Sequence, residues 1–82
     1  MNSLARDPKQ IGNLIRRARK SQKLSQKDLG ARASLRQETI SLLENGNGSA
    51  RIETLLAVLA VLDLELQIAS RSKSGRNAES YF

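Results

Sequence analysis

Apolar residues recur through most of this chain with the period of a helix, and near its end with the period of a strand. Ile11, Leu14, Ile15 and Ala18 fall at i, i+3, i+4 and i+7, so a first helix turns one face to a core. Pro8 suits the first turn of that helix and Asp7 its N-cap. Ser25, with Asp28 three residues on, has the spacing of a capping box, and the pattern predicts a second helix from Gln26 to about Ala33 with Leu29 and Ala33 inward. Gly30 is awkward inside a helix by roughly 1 kcal/mol relative to Ala, a position used where another backbone comes close. A turn through Ser34, Leu35 and Arg36 leads to a third helix over Gln37 to Glu44, with Ile40 and Leu43 inward and Asn45-Gly46 as its C-cap pair. After a loop at Asn47 to Ala50, helical spacing returns from Arg51 to Leu62 through Ile52, Leu55, Leu56, Leu59 and Leu62. This helix is expected to complete the core, with Leu24 and Leu35 plugging its ends. Ala57, Val58, Ala60 and Val61 make it apolar on more than one side, which suits contact with another subunit.

At Asp63 the period changes. Leu64, Leu66 and Ile68 alternate with Glu65, Gln67 and Ala69, which predicts a half-buried strand over 63–70. One strand in a helical chain leaves both edges unpaired. The simplest remedy is the same strand from a second copy, antiparallel across a two-fold axis. The competing reading is that the fourth helix continues or frays.

Leu24 to Gly46 thus reads as two short helices joined by a tight turn. Such pairs also occur in α-proteins that touch no nucleic acid, so polarity has to decide. A helix packed on both sides would not place Arg36, Gln37, Glu38 and Ser41 on its outer side and N-terminal end, the part a recognition helix presents to base edges in the major groove. Arg36 or Gln37 would carry most of the reading, Arg pairing with guanine and Gln with adenine. Glu38 would accept from cytosine N4 or fix register by repelling phosphate, and Ser41 would reach a base or a phosphate. Leu42 would meet a thymine methyl or simply be exposed.

These residues carry a resemblance. Leu24-Ser25-Gln26, Leu29-Gly30 and Leu43-Glu44-Asn45-Gly46 stand at the spacings of the Xre and lambdoid-repressor family of DNA-binding domains, over about residues 10 to 62. Two departures bear on the backbone: Ser34 and Lys23 stand where the family usually has Gly, and each would let its turn differ from the family's. A short basic domain of this kind, followed by Leu-Asp-Leu-Glu-Leu-Gln-Ile and a polar tail, resembles HipB-type antitoxins. The resemblance implies a mostly α, four- to five-helix lambda-repressor-like HTH domain with a C-terminal β-strand forming an intersubunit antiparallel sheet. With the aperiodic, polar composition of both ends, the chain is expected to divide into a flexible arm (1–7), the DNA-binding domain (8–62), a dimerisation strand (63–70) and a disordered tail (71–82). The resemblance also implies a homodimer on a palindromic double-stranded DNA operator and a HipA-type serine/threonine kinase toxin as partner. Gln26 resembles the family glutamine that bonds a phosphate, and Ser25, Lys27, Thr39 and Arg17 are the further phosphate candidates. Leu62, Leu64, Leu66 and Ile68 are the candidate dimer contacts. Tyr81 and Phe82, adjacent aromatics ending a chain otherwise free of them, could anchor in the toxin or form an inert tail.

Composition changes the picture little. Eighty-two residues make one small domain, and a net charge of +6 favours an anionic partner. Arg16, Arg17, Arg19 and Lys20 lie on the polar side of the first helix, where some would contact or steer toward phosphate. There is no cysteine for disulfides or thiolate sites and no histidine, the commonest general base and metal ligand. No cofactor and no small-molecule substrate are expected, and an enzyme is the weakest reading. The longest apolar run, Leu55 to Leu62, falls far short of the roughly 20 residues that span a bilayer. A cytoplasmic, nucleoid-associated protein without membrane contact is expected. A stand-alone repressor without a toxin, and a protein-interaction module without DNA, are the alternatives.

Overall fold

The computed structural model describes residues 3–47 and 49–71. They contain four helices: α1 (Pro8–Ser21), α2 (Gln26–Ala33), α3 (Gln37–Glu44) and α4 (Ile52–Val61). Asp7 caps α1 by accepting from the Gln10 amide, and Ser25 and Asp28 form the reciprocal capping box that starts α2. Ile15, Leu24, Leu29, Ile40, Leu43, Val58 and Leu62 make the core, with Ile11, Ala18, Ala33, Leu35, Leu55, Leu59 and Val61 packed against it.

The four helices end in one way. In each, a residue two or three past the end returns its amide to a carbonyl five residues back: Leu24 to Arg19, Leu35 to Gly30, Asn47 to Leu42 and Leu64 to Leu59, at 2.8–3.1 Å. This Schellman closure needs a left-handed residue just before it. Lys23, Ser34, Gly46 and Asp63 supply it, with φ of 59°, 59°, 86° and 61°. Lys23 and Ser34 therefore take the left-handed turn without glycine, and the loss of the family glycines does not redirect the chain.

Two expectations about α4 are corrected. Its inward stripe is Leu55, Val58, Leu59 and Leu62, whereas Ile52 is 71% exposed and Leu56 43%. A helix apolar on several sides gives periodicity no means to choose its buried face. Leu62 is only 1% exposed, so its side chain belongs to its own core and is not available to a partner.

The helix does not run on past Val61, since Asp63 turns the chain left-handed. Among the described residues there is no strand. Residues 64–71 are without regular structure, and Leu64, Leu66 and Ile68 are exposed. No described helix is long and apolar enough to cross a membrane.

Candidate nucleic-acid interface

The angle between α2 and α3 is set by close backbone contact. A Cβ at Gly30 would lie 2.7 Å from the Leu35 carbonyl oxygen, so only glycine admits the turn at that point. Gly12 does the same for α1, where a Cβ would lie 2.5 Å from the carbonyl oxygen of Glu44.

A buried polar cluster then locks the back of α3. Glu44, 1% exposed, accepts from Arg19 Nε at 2.6 Å and Nη2 at 3.0 Å, from Gln26 Nε2 at 3.1 Å and from Arg16 Nε at 3.4 Å. Arg19 Nη1 also donates to the Leu24 carbonyl at 2.9 Å, and Arg16 Nη2 to Asn45 Oδ1 at 3.2 Å. One carboxylate thus joins the end of α1, the start of α2 and the end of α3. Burial pushes the Glu44 carboxyl up, but the hydrogen bonds from Arg19 and Gln26, with the Arg19 charge, outweigh it and hold the group below the usual carboxylate range. The same bond to Glu44 outweighs the burial of Arg19 and raises its guanidinium.

With its back fixed, α3 presents its front outward. Arg36, Gln37 and Glu38 are exposed, and Thr39 and Ser41 are half-buried. Arg36 is the N-cap and gives no side-chain cap bond, so the first amides of α3 are left facing outward with it. Among the described residues, the side chains of Arg36, Gln37, Glu38 and Ser41 hydrogen-bond to nothing in the chain. Ser25 and Gln26 are partly engaged. The Ser25 hydroxyl accepts from the Asp28 amide at 2.9 Å, leaving its proton free to donate, and Gln26 uses one of its two amide protons on Glu44. Arg17 and Lys27 are exposed.

Arg19 is the clear departure from expectation: it is 9% exposed and paired with Glu44, not on the solvated face. Both were missed as a structural pair, although the signal was present. Arg19 continues the Ile11–Ile15 stripe at i+4, and Glu44 continues from Ile40 at i+4, so two opposite charges occupied inward positions. Gln22 was also missed; its Nε2 donates to the Leu62 carbonyl at 2.8 Å and ties α1 to the end of α4. Tyr81 and Phe82 lie outside the described residues.

Known proteins share this fold. The sequence pattern of the helix-turn-helix family (HTH_3) matches residues 15–68. The HTH-type transcriptional regulator y4dL of Sinorhizobium fredii is 39% identical over 61 residues, which cover 74% of this chain and 31% of that protein. This chain therefore spans about a third of that relative's length. Among solved structures, HipB in an O2 20mer complex superposes with a TM-score of 0.81 at 22% identity, over 88% of this chain and 100% of that one. HipB in a HipA-HipB-O2-O3 complex gives 0.80 at 22%, over 87% and 100%. At that identity the likeness is one of fold.

Proposed function

We propose, from the premise that this chain belongs to the helix-turn-helix family, that it is a dimeric, sequence-specific DNA-binding repressor serving also as the antitoxin of a HipA-type serine/threonine kinase. The observation that carries the reading is the unpartnered front of α3 on a helix whose other end is fully engaged. Each α3 would enter the major groove, with centres about 34 Å apart on an inverted repeat. Arg36 would pair bidentately with guanine and Gln37 with adenine. Glu38 accepts from cytosine or sets register, and Ser41 donates nearby. Ser25, Gln26, Lys27, Arg17 and Thr39 would hold phosphates, Gln26 with its second amide proton. The net charge of +6 supports this.

Dimerisation would use residues 63–70 as a shared antiparallel strand. The exposure of Leu64, Leu66 and Ile68, at 41%, 53% and 95%, supports a partner there, and Leu66→Pro should yield monomers by ultracentrifugation. The kinase reading is supported by the HipB fold, known also in a HipA-HipB complex; Tyr81 and Phe82 would anchor it. A gel shift on DNA upstream of the protein's own gene tests the DNA reading, and capture of a kinase by a tagged copy in its host tests the antitoxin reading. The stand-alone repressor is the second reading, favoured by a relative described only as a transcriptional regulator.

A further inference from the structure

The outward stripe of α3 holds an apolar residue, Leu42, to which the polar contacts proposed above give no role. At about 100° per residue, the direction opposite to Ile40, Leu43 and Glu44 falls on Glu38, Leu42 and Asn45. Leu42 is 52% exposed there, about 40° around the helix from Glu38, with Ser41 and Asn45 beside it. It borders a shallow groove with Thr39, Ala50 and Thr54, where α3 meets the start of α4. The other exposed large apolar residues past α3 lie elsewhere, at Ile52 and Leu56 on α4 and at Leu64, Leu66 and Ile68 beyond it.

We propose that Leu42 is a specificity-determining residue that reads the C5-methyl group of one thymine in each half-site. The inference rests on the DNA-reading role proposed above. A leucine offers no donor or acceptor, so in a major groove it discriminates only by apolar contact. The thymine methyl is the one apolar group that the four bases present there. Leu42, placed one helical turn beyond Glu38, extends the reading surface past the polar residues of the first turn.

The experiment uses the full chain and a duplex it selects from a random-sequence library, with each thymine replaced in turn by deoxyuridine, which removes only the methyl group. At one position per half-site the affinity should fall about fourfold, and about fifteenfold when both half-sites are changed, as expected for loss of one buried methyl each. Leu42→Ala should bind thymine and uracil equally well at that position and still discriminate elsewhere. Equal affinity for thymine and uracil at every position overturns the inference while leaving DNA reading intact, and so does retained discrimination between thymine and uracil at that one position in Leu42→Ala. Failure to bind any selected duplex overturns both. The uracil scan on the unaltered chain decides the matter even if the variant folds poorly.

Discussion

At the back of α3, Glu44 is buried and accepts from three side chains on two other helices; at the front, Arg36, Gln37 and Glu38 are exposed and, among the described residues, bond to none. Both ends are charged, and only two helical turns separate them. Their difference lies in where along α3 each residue stands. Glu44 stands beside Ile40 and Leu43 at the end packed against α1 and α2 and must find its partners inside the protein, whereas Arg36, Gln37 and Glu38 stand at the exposed first turn and keep their donors and acceptors for something outside. The back is architecture and the front is available for chemistry.

The largest way to break that division is at the back. Glu44→Ala leaves Arg19 buried without its carboxylate and should destabilise the fold by about 3–5 kcal/mol, a large part of the total for so small a domain, as read from urea melts by circular dichroism. Arg19→Met with Glu44→Leu should recover most of that loss, because the unpaired charge disappears with its partner. A mild effect of Glu44→Ala would mean that the cluster does not hold α3. Gly30→Ala is next. Its new methyl would meet the Leu35 carbonyl, so a loss of about 1–3 kcal/mol is expected, and an unchanged melt would show that the α2–α3 turn gives way freely.

Acid tests the same end by titration. Bonds from the Ser25 amide and hydroxyl lower Asp28, and Glu44 is lowered by its partners against the effect of burial. Such carboxyls take up protons in the unfolded chain near pH 4 but resist doing so when folded. Their stabilisation is therefore present above about pH 4–5 and is lost as pH falls through the folded values. The melting temperature should hold from neutrality to about pH 5 and then drop, less steeply in Glu44→Gln; a flat profile would speak against the charged cluster. The smallest effect is expected at Ser34→Gly. It relieves a left-handed residue and should stabilise by up to about 1 kcal/mol in the same melts, without touching either end of α3.

The sequence made the helix pair legible because its punctuation was local. Asp7, Ser25 with Asp28, and Asn45-Gly46 mark helix ends through bonds to their own neighbours, and Gly30 marks the crossing. What it hid was settled between distant segments. The partnership of Arg19 with Glu44 spans 25 positions, and the facing of α4 depends on which of several apolar sides the other helices cover. A strand over 63–70 would likewise be a matter between chains, since among the described residues nothing extended lies beside them. The exposed front of α3 was legible from polarity alone.

That front is tested most directly by fluorescence anisotropy at physiological salt, on a self-selected duplex and its single base-pair variants, with the unaltered chain and Arg36→Ala. Arg36→Ala should lose about 1–3 kcal/mol on the selected duplex, become indifferent to the base pair at one position per half-site, and melt as the unaltered chain does. Equal binding of the unaltered chain to selected and scrambled duplexes would contradict the account.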